Sequence, residues 1–391
     1  MKKLDAFIGY ADVISPLGWG VDNNIEKILS GKSAYTKFNS SEYGEDFPVK
    51  YWGNIPLDLI AQNQYEDYSK SELILDQLLK RLPFNKKEIT IDAIFLLYKN
   101  LNAFEFYRNK GLKQKNFFIK NDQLSVSSLL KKNGINIPFD KIHIIDNTCC
   151  TGLTLLTNAT QGVSANIWNN VLVCAIDLMD PYVLFSLNGI GAFPQVDIEP
   201  DQASRPFDIQ RNGFVKTESG SIALVTKNKN QLNNTDFMKI VSFNQTNDAY
   251  RMTDGREDTL YIRLAMESAI SRSGLSYEQI GFIKAHGTGT LLNDLNEANA
   301  IDKVFNDYHI PVTSLKGHLG HTTDASGLIE NIIAGQSLKK GFILPTKNYV
   351  ASEFKINIVK EKTFINHTPY FLSNSFGFGG NNISAVIEVT Q

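Results

Sequence analysis

The segment Asp146-Asn147-Thr148-Cys149-Cys150-Thr151-Gly152-Leu153 puts two cysteines between an apolar run, residues 142–145, and an Ala-, Leu- and Thr-rich stretch, residues 153–168. The run reads as a buried strand and the stretch as a helix. A cysteine at such a turn lies beside a helix N-terminus, whose unbonded N–H groups and dipole favour a thiolate. That chemistry is nucleophilic. The competing reading, a small packed cysteine, is weakened by two histidine segments downstream. His286 ends the apolar stretch in Phe282-Ile283-Lys284-Ala285-His286-Gly287-Thr288-Gly289-Thr290, and His321 closes Ser314-Leu315-Lys316-Gly317-His318-Leu319-Gly320-His321. A fourth glycine-bounded turn, Asn374-Ser375-Phe376-Gly377-Phe378-Gly379-Gly380, precedes the last strand. Glycines at these places let a ligand approach the backbone closely.

The elements that must hold these turns follow the apolar pattern. Strands are expected over 6–11, 89–97, 171–176, 219–225, 239–243, 280–285 and 383–389. Helices are expected over 23–29, 71–82, 124–132, 256–273 and 326–338. Residues 36–70 read as a surface insertion and 189–202 as a loop. Cys174, inside a strand, reads as inert core. The polar run over 227–234 (Lys-Asn-Lys-Asn-Gln-Leu-Asn-Asn) divides the chain into halves 1–230 and 231–391, the first with the cysteine and the second with both histidines. In each half a strand delivers a reactive residue to a turn, which suggests an internal duplication.

Composition narrows the class. A chain of 391 residues with 42% hydrophobic and 20% charged residues is an ordinary soluble globular one. The formal net charge of -2 gives no drive towards nucleic acid. An odd count of three cysteines, two of them adjacent, argues against a disulfide framework and for a reducing cytoplasm. Neither a signal peptide nor a membrane span is expected. Zinc is disfavoured, since His318 and His321 have no Cys-x-x-Cys partner pair.

The motifs resemble those of the β-ketoacyl-acyl-carrier-protein synthases, in particular the elongating condensing enzymes. Asn147 to Gly152 is similar to the family's nucleophile motif, with Gly152 selecting Cys149 over Cys150. The segment Ala285 to Thr290 followed by Asp294 and Glu297, the residues Ser314, Lys316, Gly320 and His321, the turn Asn374 to Gly380, and Arg205 to Asp208 with Arg211 to Phe214 and Glu218 all match in order. The resemblance implies an α/β thiolase fold, two similar halves with mixed sheets stacked α-β-α-β-α. It implies a decarboxylating ketosynthase, an acyltransferase that needs no metal or organic cofactor. Cys149, His286, His321, Lys316 and Glu297 would be catalytic, with Glu297 pairing Lys316. Phe378, as a gate, and Phe376, Thr288, Thr290 and Gly377 would line the substrate site. The partners implied are an acyl carrier protein and a second subunit, either identical or a related ketosynthase or chain-length factor.

Other readings leave residues unused. A cysteine hydrolase needs one histidine and has no use for His321 or Lys316. A non-condensing chain-length subunit would lack Cys149. A primer-loading enzyme would carry Asn in place of His321. The chain departs from the family pattern at Asp324, usually Gly, at Thr148, usually Ala, and at Asn381, usually Thr. The segment over 98–120, with Arg108, Lys110, Lys113 and Lys115, lacks the expected glycine-rich loop and offers a basic patch for an acidic carrier. These departures suggest a specialised type II polyketide or aryl polyene-like pathway, with housekeeping fatty acid elongation as the alternative.

Overall fold

The computed structural model describes residues 4–39, 48–60, 68–83, 89–99, 115–232, 238–306, 308–365 and 368–390. His367 and residues 100–114, which hold most of the basic patch, lie outside the described residues.

Ten strands form the frame: β1 (Phe7–Ser15), β2 (Ala93–Tyr98), β3 (Ile142–Ile144), β4 (Asn170–Asp177), β5 (Ser219–Thr226), β6 (Met238–Asn247), β7 (Phe282–Lys284), β8 (Pro311–Thr313), β9 (Tyr370–Gly377) and β10 (Asn381–Val389). The first five pair in the order β3-β2-β4-β5-β1, the second five in the order β8-β7-β9-β10-β6. Numbered within its own set, each order is 3-2-4-5-1. The pairings also correspond: 3 with 2 and 2 with 4 are parallel, while 4 with 5 and 5 with 1 are antiparallel. The sets join where Ile8 pairs with Met238. The sheets are mixed and built twice on one plan, as the resemblance to the thiolase fold implies.

The helices used below are α1 (Val21–Leu29), α2 (Lys70–Arg81), α3 (Lys115–Lys132), α4 (Thr151–Ser164), α5 (Pro181–Gly189), α6 (Leu260–Ser273), α7 (Leu291–Phe305) and α8 (Ser326–Lys339). Strand β4 shows why they form layers. All eight of its residues are buried, so both faces need cover. Val171, Val173 and Ala175 face a central cluster with Leu155 and Ala159 of α4 and Ile329 and Ile333 of α8. Leu172, Cys174 and Ile176 face an outer cluster with Ile74 and Leu78 of α2 and Val126 of α3. On the far side of the second sheet, Ile283, Leu372 and Val386 pack under Ile262 and Met266 of α6 and Ile301 of α7. The stack is therefore α2/α3, sheet, α4/α8, sheet, α6/α7. The two central helices cross almost in contact: a Cβ on Gly152 would lie 2.3 Å from the Leu328 nitrogen. That close approach explains a glycine three residues after Cys149.

Several sequence expectations shift. Strand β2 begins at Ala93, not 89, because pairing with β4 begins at Ala93. Helix α6 starts at Leu260, four residues later than expected, after Thr259 in a left-handed conformation. Helix α5 had no assigned element. Its signal was Asp180 followed by Pro181: the Asp180 carboxylate accepts from Tyr182 N and Val183 N, and Pro fits the first turn. The described part of 36–70 is not a surface insertion throughout. Tyr51, Trp52 and Ile55 are buried, and Gly53 pairs with Thr217.

Candidate active site

Both central helices begin at the same end of the stack, and the four glycine-bounded turns gather there. They line one cavity of about 460 Å³. Its walls include Cys149, His286, His321, Thr288, Thr290, Phe376, Gly377 and Phe378. Lys316 and Glu297 do not line it.

Cys149 lies two residues before Thr151, the first residue of α4, and is half-buried. Thr148 before it takes φ +50, a left-handed conformation that is uncommon outside glycine, and its Oγ1 donates to Phe378 O at 3.2 Å. The nucleophile turn and the Phe378 turn are thus tied together. Cys150 turns inward, its thiol 3.2 Å from Ser375 O and Asn381 O. That separates the two cysteines as the position of Gly152 suggested.

The sequence favoured a stabilised thiolate. The structure opposes it: burial, helped by the Asp324 carboxylate, pushes the Cys149 thiol up to about 12, against the pull of Lys316 and Lys99. The resting group is a thiol, so a proton acceptor is needed. Two stand beside it. The Cys149 sulfur and one ring nitrogen of each of His286 and His321 all lie within 4.8 Å of one another.

His286 follows β7. Its backbone N and that of Gly287 donate to Glu297 of α7 at 2.8 and 2.7 Å. Asp294, one turn earlier, accepts from Thr288 N at 2.9 Å, from Gly289 N and from Phe207 N at 2.7 Å. Two carboxylates at i, i+3 on one helix face therefore fix the whole 286–290 loop. Glu297 is not the partner of Lys316, as the resemblance implied. Lys316 pairs with Glu330 of α8 at 2.7 Å, and Glu330 also pairs with Lys284 at 3.0 Å. Sequence reasoning missed Glu330, whose only signal was a carboxylate among the apolar Leu328, Ile329, Ile332 and Ile333 of its helix.

His321 is held by its backbone as well. Its N donates to Val215 O at 2.7 Å, and its O accepts from Thr217 N at 3.1 Å. A Cβ on Gly320, at φ +67, would lie 2.2 Å from Thr217. The loop after His321 is anchored by Asp177 at the end of β4, which accepts from Thr323 Oγ1 and from Asp324 N at 3.0 Å and pairs with Lys216 at 3.0 Å. His318 turns away, its Nδ1 3.2 Å from Lys32 O.

The two imidazoles meet edge to face with centroids 5.3 Å apart, and Phe214 and Phe376 cover them. Burial first, then the charge of Lys316, holds both well below the usual histidine range, so both are neutral near pH 7. The field that keeps them uncharged comes from Lys316, Lys284 and Lys216. Neutral imidazoles beside the thiol can each donate an N–H to developing negative charge.

Residues 237–350 match the β-ketoacyl synthase C-terminal domain. Across 99% of this chain and 99% of the relative, the sequence is 26% identical to 3-oxoacyl-[acyl-carrier-protein] synthase 2 of Coxiella burnetii. It is 32% identical to the chloroplastic 3-oxoacyl-[acyl-carrier-protein] synthase II of Arabidopsis thaliana, over 62% of this chain and 46% of that one. The fold superposes with a TM-score of 0.85, at 22% identity and with 100% of both chains covered, on a solved structure of a type II polyketide acyl-carrier protein in complex with its ketosynthase bound to the hexaketide. The chain is thus similar in sequence to 3-oxoacyl-[acyl-carrier-protein] synthases, among them the synthase 2 type, and shares its fold with a solved ketosynthase.

Proposed function

We propose that the chain is a β-ketoacyl-[acyl-carrier-protein] synthase, joining a malonyl unit to a Cys149-bound acyl group with loss of CO2. The observation that carries this reading is the pair of neutral histidines held beside a thiol in a cationic field. In the first step the Cys149 thiol gives its proton to an adjacent imidazole, and its sulfur attacks the acyl thioester. The backbone N–H groups of Cys149 and Phe378 would receive the oxyanion. The carrier thiolate leaves and takes up that proton.

In the second step a malonyl thioester loses CO2, and its electron pair becomes an enolate on the thioester oxygen. His286 and His321, each as a neutral imidazole, donate an N–H to that oxygen. In the third step the enolate carbon attacks the acyl-Cys149 carbonyl, and the Cys149 thiolate departs and takes up a proton from solvent, restoring the thiol. The product is a 3-oxoacyl thioester two carbons longer. Lys316 acts from behind through its charge. Thr288, Thr290, Phe376, Gly377 and Phe378 shape the channel.

The partners in this reading are an acyl carrier protein with its acyl and malonyl thioesters, and a second ketosynthase-type subunit. We propose the halves 1–230 and 231–391 as its domains. Three free cysteines fit a reducing compartment. Among the described residues no helix is long and apolar enough to cross a membrane. The reading is tested by intact mass spectrometry with a panel of acyl-carrier thioesters. An acyl adduct that Cys149→Ala abolishes, converted by malonyl-carrier to a product two carbons longer, supports it. A folded protein that takes no acyl group is instead a non-condensing partner subunit.

A further inference from the structure

Asp324, a residue where the family usually has glycine, lies in the wall of the Cys149 cavity. Its carboxylate forms an ion pair with Lys99, which follows β2 and lines the same cavity. The Asp324 side chain is 11% exposed and that of Lys99 30% exposed. The same cavity wall also includes the apolar Val183 and Leu187 of α5, against which an acyl chain could lie.

The pair is built in rather than incidental. Asp177 accepts from Asp324 N and pairs with Lys216. The four side chains Lys99, Asp324, Asp177 and Lys216 sum to zero charge, so the wall has no excess cation to offer a carboxylate. An ammonium has three donors, and Asp324 engages one face of it. A methylene chain laid against Lys99 would strip water from the remaining donors and return nothing. A hydroxyl or keto oxygen would replace that water.

We propose that Lys99 and Asp324 form a specificity element of the acyl pocket, selecting acyl groups with a neutral oxygen near the thioester over saturated chains of equal length. This rests on the condensing function proposed above. Its test is competitive acylation of Cys149 by equimolar 3-hydroxyhexanoyl and hexanoyl pantetheine thioesters, read by intact mass. The wild type should favour the hydroxyacyl group roughly ten-fold, as one charged hydrogen bond allows. Lys99→Met should bring the ratio near one, and Asp324→Gly, which frees a further donor of Lys99, should raise it. A wild-type ratio near one or favouring hexanoyl overturns the inference and leaves the condensing reading standing. A ratio that Lys99→Met leaves unchanged also overturns it. Absence of any adduct on Cys149 would overturn the condensing reading and this inference with it.

Discussion

Replacing Glu330 by Gln removes the one carboxylate between Lys316 and Lys284. The two ammonium groups lie 2.7 and 3.0 Å from its oxygens, and all three side chains are at most 1% exposed. Water cannot re-solvate either cation. Breaking a buried pair of this kind costs about 3–5 kcal/mol, because a buried charge is left without a partner. Here two cations share the loss, so Glu330→Gln should sit at the upper part of that range. Burial already holds Lys284 below the usual lysine range. Without Glu330 it should shed its proton more readily. In that variant the unfolded chain then binds the extra proton, so the deficit should narrow as pH rises towards the ordinary lysine value of 10.5. The assay is urea unfolding of wild type, Glu330→Gln and the exposed control Glu361→Gln from pH 7 to 9.5. The control should stay within about 0.5 kcal/mol of wild type. Adding Lys284→Met to Glu330→Gln should recover part of the loss, with a coupling of about 1–3 kcal/mol. A Glu330→Gln loss below about 1 kcal/mol, or a deficit that grows with pH, would refute the argument.

Further outcomes follow from the same geometry. His286→Ala or His321→Ala should each lower condensation about 100- to 1000-fold, as the loss of one oxyanion donor does, while Cys149 remains open to alkylation; steady-state turnover beside iodoacetamide labelling reads both. Both histidines have folded values below their ordinary 6.5, so their contribution to stability is present above pH 6.5 and is lost as pH falls towards the folded values. The slope for the pair should be about 1.4 kcal/mol per pH unit at the ordinary value and approach about 2.7 a unit or more below it, measurable by urea midpoints between pH 7 and 5. Asp324→Asn removes a charge that raises the Cys149 thiol, so alkylation at pH 7.5 should speed up several-fold; an unchanged rate contradicts the assignment.

The site was more legible in the sequence than the structure behind it. Cys149, His286 and His321 stand in short segments where glycine, a strand end and a reactive side chain occur together, and all three line the cavity. What holds them is long-range. Glu330 lies 46 residues from Lys284, and Asp177 secures a loop 147 residues away at Asp324. No local pattern encodes such a pairing. Glu297 was singled out, but its carboxylate serves the His286 backbone rather than Lys316. The apolar periodicity located eight of the ten frame strands, since strands buried on two faces are unbroken apolar runs; β8 had no assigned element, and β9 runs through Gly377 into the segment read as a turn. Helix α5 escaped because its apolar residues show no single face, and only its Asp-Pro start announced it.

The central claim is that a Cys149-bound acyl group is attacked by a carbon made nucleophilic through decarboxylation between His286 and His321. Its most direct test is a single turnover. Protein loaded on Cys149 with an isotopically labelled acyl group is mixed with malonyl-carrier thioester, and CO2, free acid and 3-oxoacyl product are counted together. Equal amounts of CO2 and labelled 3-oxoacyl-carrier, with little free acid, are predicted. Labelled free acid released without CO2 would make the chain a thioester hydrolase and contradict the account.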